Sequence, residues 1–314
     1  ETTICDVFIR IKKSINNFQY VKRLHARDLF SKDMIHKYQQ QGLEYFYIPK
    51  EHQEQFTIHV SNQLVQKLEN VDLNSDTHLL VLAESFNIAV NEIRNLGFNS
   101  ATVQLTEVII ENILKTADLE PELSTMLKKI VNTQSNYLYQ HAHMSSLIAG
   151  EIVKFLNVNN SHHVRVVAYA ALFKDISLAN RPDLAKISSF TELEDAELKD
   201  KDWDLVFNHA FDSSSLILNN PNTPEGLAEV LTTHHGSQNG KGFSITNVNN
   251  LPTLQQIFVI SCEFVREILL YKENGGTAKP VIKTLYEKFN GDEVILIIKT
   301  LEQVLLNLKR QNYE

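Results

Sequence analysis

The chain has almost no cysteine, no long apolar run and no surplus of positive charge, and each shortage removes a class of protein. Its two cysteines, Cys5 and Cys262, are too few for a disulfide framework and lack the paired spacing of a metal motif. No uninterrupted apolar stretch approaches the roughly 20 residues that cross a bilayer. The first residues also lack the charged-then-apolar layout of a secretory signal, so no membrane span and a cytoplasmic location are expected. Lys and Arg number 30 against 38 Asp and Glu, a net charge of -8, which is the wrong sign for a broad duplex nucleic-acid footprint. A small anion held by a few local cations stays open.

What is present is ordinary globular material. Hydrophobic residues make up 43% and charged residues 22% of the 314 positions, enough for a sizeable core and more than one core usually holds. The first part carries β-type runs at Ile4–Ile11, Gln19–Lys22 and Tyr45–Ile48, rich in aromatic and β-branched residues. Between the last two, Ser31 to Gln41 reads as a helix, with Ser31 as N-cap and Gly42 as stop. From Pro49 onward apolar residues recur at helical spacing, as in Leu79, Leu80, Leu82, Ala83 and Phe86, then Ala89, Val90 and Ile93. Gly97 and the Asn99-Ser100 pair break one helix before another begins. The expected architecture is therefore mainly α: an N-terminal α/β module over 1–70, a helical connector over 71–118 and an all-helical domain over 119–314.

Residues after 120 collect His141, His143, Asp175, His209 and the doublet His234-His235. A histidine doublet alone says little, since most surface histidines are only polar residues. The context is more specific. The run from His234 to Ser244 keeps both histidines, Gly240 and Gly242 at the spacings of the pattern HHExxDGxGYP. The stretch Asp175-Ile176-Ser177-Leu178-Ala179-Asn180-Arg181-Pro182-Asp183 begins with a carboxylate and ends in Pro-Asp. Trp203 lies six residues before His209, and Tyr137-Leu138-Tyr139-Gln140-His141 opens the set. In this order the residues resemble the HD-GYP family, a branch of the HD phosphohydrolases, over about residues 125–310. The N-terminal module resembles a small accessory domain often fused ahead of such domains, in Asp6-Val7-Phe8-Ile9-Arg10 and Gly42-Leu43-Glu44-Tyr45-Phe46-Tyr47.

The resemblance implies an all-helical HD-type domain and a bacterial signalling protein that linearises cyclic di-GMP with adjacent metal ions, often iron or manganese. Such cations hold a phosphate, neutralise developing charge and lower the pKa of water. By the family pattern one metal is held by His209, His234, His235 and the bridging Asp175, and all four are kept. The neighbouring metal would use His141, Asp175 and two residues whose places are taken by Lys174 and Cys262. The expectation is one well-formed site and a doubtful second one.

Several departures bear on activity. A charged ammonium offers no lone pair, so Lys174 either replaces the lost metal as a point charge on phosphate or reflects drift in a domain that has stopped catalysing. Cys262 is either a thiolate ligand or a small core residue, and Glu263 beside it is expected to point elsewhere. Leu178 stands for a family Lys, Gly236 for Glu, Asn239 for Asp, Phe243 and Ser244 for Tyr and Pro, and Tyr271 for a frequent Arg. Lys186 is either a phosphate contact or a solvated loop lysine. Two functions follow: a phosphodiesterase of reduced or altered activity with Asp175 and Lys174 at its centre, or an inactive module. The inactive module would bind a cyclic dinucleotide or other phosphate ligand, or engage a signalling protein near Gly240–Phe243.

Overall fold

The computed structural model describes all residues except 1, 16, 74, 120–121, 159–160, 219, 221, 237–242, 244–245, 274–278 and 307–314. The chain divides into two compact units, residues 1–63 and 64–314.

In the first unit, β1 (Val7–Ser14) and β2 (Asn17–Leu24) form an antiparallel hairpin with Ile9 opposite Val21 and Arg10 opposite Tyr20. Tyr47 pairs with Phe8 through two backbone hydrogen bonds of 2.7 and 2.8 Å, but this is an isolated bridge. The third aromatic run thus touches the sheet at one residue and forms no strand. Pro49, two residues on, has no N–H to continue the ladder. Helix α1 (Lys32–Gln40) follows, its N-cap Ser31 accepting from the Met34 N–H. It ends ahead of Gly42, whose φ of +79° suits a residue without Cβ. Helix α2 (Gln53–Asn70) crosses the boundary between the units.

The second unit is helical: α3 (Asp76–Leu96), α4 (Ser100–Leu119), α5 (Leu123–Asn132), α6 (Tyr137–Phe155), α7 (Ser161–Phe173), α8 (Phe190–Asp195), α9 (Asp200–Ile217), α10 (Leu227–Thr232), α11 (Thr253–Glu273), α12 (Lys279–Lys288) and α13 (Asp292–Leu305). Helix α3 stops at Gly97 (φ +76°), and the Asn99 side chain caps α4 by accepting from Ala101 and Thr102 at 3.0 Å. Residues Leu79, Leu82, Ala83, Phe86, Ala89, Val90 and Ile93 are buried along one face of α3, whereas Leu80 is exposed.

Helices α6 and α7 form the centre. Nearly every residue of α6 from Leu138 to Val153 and of α7 from Val166 to Phe173 is buried, so both are core helices, and the polar side chains α6 carries must find partners inside. His143 belongs to this interior, not to any ligand cluster. Its ring nitrogens meet the Tyr139 hydroxyl (3.0 Å) and the Thr116 hydroxyl (3.1 Å), while His78 of α3 meets Asn112 of α4 at 3.0 Å. Among the described residues no helix is long and apolar enough to cross a membrane.

Candidate metal centre

The chain leaves α7 through Lys174, and Asp175 starts a tight turn. This turn is fastened to α9 by Ser177, whose hydroxyl donates to the His209 carbonyl (3.2 Å) and whose N–H donates to the Ser213 hydroxyl (3.3 Å). Arg94 of α3 holds it from the other side by donating to the Ser177 carbonyl (3.1 Å). Asp175 is thereby set against His209 on α9 and against His234 and His235 just past α10. One ligand atom from each of these four lies within 4.8 Å of all the others.

The histidine tautomers follow from their neighbours. His209 Nδ1 faces the Val206 carbonyl at 2.5 Å, and His234 Nδ1 faces the Leu231 carbonyl at 2.6 Å. The second of these carbonyls is in the last turn of α10, where helix ends leave acceptors free. A carbonyl oxygen only accepts, so each Nδ1 carries the hydrogen and each Nε2 a bare lone pair. His209 Nε2 lies 3.2 Å from His234 Nε2 and 2.9 Å from His235 Nε2. Burial pushes all three imidazoles down, His209 to about 4, because there is little water to solvate an imidazolium and the neighbouring rings repel one.

Asp175 completes the set with two differently used oxygens. Burial would raise its pKa, but the Lys174 ammonium holds it well below the usual carboxylate range. Oδ2 is paired with Lys174. Oδ1 stands 3.7 Å from Nε2 of both His209 and His234, and is buried without a hydrogen-bond partner. Converging neutral lone pairs around an orphaned anionic oxygen are what a cation would satisfy, and backbone-anchored Nδ1–H groups are the usual support of metal-bound imidazole. These residues fit a divalent metal.

The other expected residues fall around this centre. His141 on α6 is not in the four-residue cluster; its Nδ1 lies 3.2 Å from the Ser145 hydroxyl, and burial followed by the Lys174 charge keeps it neutral. Cys262 on α11 shares Ser145, and burial raises its thiol to about 12 despite the nearby ammonium. Both line a cavity of about 230 Å³ with Tyr137, Lys174, His234 and His235. Lys186 is paired with Glu273 at 2.6 Å and lies 5.6 Å over the Tyr137 ring; it is not among the cavity's described lining residues, although its neighbour Ala185 is.

Glu263 does not point elsewhere. It lines the same cavity, where Arg266 and Lys288 bind its carboxylate. Val259, Cys262, Glu263 and Arg266 stand at i, i+3, i+4 and i+7 of α11, so one face of that helix lines the cavity, with Glu192 of α8 and Lys288 of α12 around it. Arg266, buried and also tied to Glu192 and Glu267, is the cation α11 supplies there, and the sequence reading did not single it out. Gly236 is closely packed: a Cβ would lie 3.0 Å from Leu251 Cδ1 and 3.3 Å from Val259 Cγ2, so both side chains would have to give by a few tenths of an ångström. Phe243 presents its ring edge-on to His209 (5.6 Å) and His235 (5.1 Å), while Gly240, Lys241, Gly242 and Ser244 lie outside the described residues.

No family model and no curated protein sequence matches the chain. Among solved structures, it is similar to Bd1817, an HDG"Y"P protein from Bdellovibrio bacteriovorus, at a TM-score of 0.59 and 13% identity over 98% of this chain and 95% of that one. A second match, to the PgpH phosphodiesterase HD domain from L. monocytogenes in complex with cyclic-di-AMP, has 15% identity over 60% of this chain and 99% of that one, and its TM-score of 0.37 carries no argument. The likeness to Bd1817 is one of fold, over nearly the whole of both chains. Within that fold lies a buried Asp and His cluster able to hold a metal.

Proposed function

We propose that the chain is a metal-dependent phosphohydrolase acting on the phosphodiester of a cyclic dinucleotide, cyclic di-GMP by its motif resemblance, at a rate reduced by loss of the second metal position. The observation that carries this reading is the division of Asp175, whose Oδ1 faces the bare Nε2 atoms of His209 and His234 while Oδ2 is neutralised by Lys174. His209, His234, His235 and Asp175 would hold one iron or manganese ion. A cation there supplies charge to a phosphoryl group and acidifies water. The residues around it do the rest. Lys174 keeps Asp175 ionised and places an ammonium at the cavity wall, while Phe243 covers His209 and His235 from one side.

The Lys174–Asp175 pair also favours a second reading, in which the domain binds the nucleotide without cleaving it. A fixed ammonium next to the site repels another cation. One assay decides. Protein loaded with manganese or iron is tested for cyclic di-GMP turnover and, separately, for binding. Turnover that vanishes in His234→Ala supports the enzyme; binding without turnover in the fully loaded protein supports the module.

A further inference from the structure

We infer that the Tyr137 hydroxyl is a ligand-binding group, the donor that hydrogen-bonds an oxygen of a phosphoryl anion in the cavity beside the histidine cluster. The inference rests on the proposed phosphate chemistry of that site.

Tyr137 is the first residue of α6. Its backbone is fixed by the Asn136 cap, whose side chain accepts from the Tyr139 N–H at 2.9 Å and donates to Asn87 at 2.7 Å. The ring is held from two sides, by the His141 imidazole at a centroid distance of 5.5 Å and by the Lys186 ammonium at 5.6 Å. The hydroxyl oxygen has less than 1 Å² exposed and no hydrogen-bond partner among the described residues. Other buried tyrosines of this unit are not left so. Tyr139, two residues along the same helix, donates to the Leu79 carbonyl (3.2 Å) and meets His143, and Tyr169 is bound by Glu107 and Arg165. An orphaned buried hydroxyl has given up its hydrogen bond to water without replacing it, a loss that a bound acceptor makes good.

The surroundings identify that acceptor. Asp175 and Glu263 lie near enough to oppose ionisation, and with burial they raise the phenol well above its ordinary pKa, so it stays protonated and donates. The charged residues on the cavity wall are Lys174, Arg266 and Lys288 with Glu192 and Glu263, and each of the three cations is paired with a carboxylate. His234 and His235 open onto the same space. A compact anion with several acceptor oxygens matches a phenol donor flanked by ammonium and guanidinium groups and an adjacent metal cluster.

The test is titration of inorganic phosphate into the full chain loaded with manganese, parent against Tyr137→Phe, with manganese content and melting temperature recorded for both. Expected are equal manganese content, an equal or higher melting temperature, since the hydroxyl has no internal bond to lose, and phosphate affinity weakened roughly tenfold or more, as for a hydrogen bond to a charged group. Unchanged phosphate affinity overturns the inference. So does a Tyr137→Phe protein that melts lower or loses manganese, because the hydroxyl would then have an internal partner. A parent that takes up manganese but binds no phosphate overturns this inference and leaves the metal assignment standing. One that takes up no manganese overturns both.

Discussion

Lys174 and Asp175, neighbours in sequence, form a buried ion pair through Oδ2, and the other oxygen of the same carboxylate stands 3.7 Å from Nε2 of both His209 and His234. One carboxylate therefore serves two cationic positions, one filled by the protein's own ammonium and the other lined with bare imidazole nitrogens. A buried charge pair is costly to break from one side, since the remaining charge is left uncompensated. Lys174 is thus an integral part of the centre.

Replacing that ammonium with a neutral nitrogen ligand should reopen the second position. Lys174→His is expected to raise metal content per chain above the parent after matched loading. Cys262→Asp should add to the gain because both changes act on one site. The burial-raised thiol makes the parent Cys262 a poor ligand. Elemental analysis reads the result, and a parent already holding two full equivalents at this centre would refute the idea.

His235→Ala should remove more bound metal than His141→Ala. His235 Nε2 is one of the four clustered ligand atoms, whereas His141 lies outside that group and is engaged with Ser145. Equal metal retention in the two variants would contradict the assignment.

A glutamate at position 236, where the pattern HHExxDGxGYP has one, should damage the fold. The Cβ alone would press on Leu251 and Val259, and overpacking of this kind costs about 1–3 kcal/mol. Gly236→Glu is expected to melt lower than the parent in thermal denaturation, and an unchanged melting temperature would show that Leu251 and Val259 move aside readily.

Metal-free protein should lose stability in mild acid. Burial lowers His143 to about 3 and His209 to about 4, against 6.5 for an exposed imidazole. Between those limits the unfolded chain binds protons that the folded one refuses. Stability is therefore full above pH 6.5 and falls as pH drops toward 4, by at most about 1.4 kcal/mol per pH unit for each histidine. Chemical denaturation at pH 7, 6 and 5 checks the sign; a flat profile would mean these rings already reach water.

The sequence by itself determined most of the element types and named the four residues, Asp175, His209, His234 and His235, that come together. Ser31, Gly42, Gly97 and Asn99 mark helix ends because caps and positive φ depend only on near neighbours. The apolar face of α3 was readable for the same reason, as were the order and spacing of His209, His234, His235 and Asp175. Tertiary structure decided what these groups meet. Tyr45–Ile48 made a bridge in place of a strand, Glu263 turned into the cavity, and the cation came from Arg266. Whether an Nε2 is bare, a carboxylate shared or a tyrosine hydroxyl unpaired depends on atoms contributed by helices far apart in the chain. Local spacing carries no measure of those distances; they arise only when α6, α7, α9 and α11 pack.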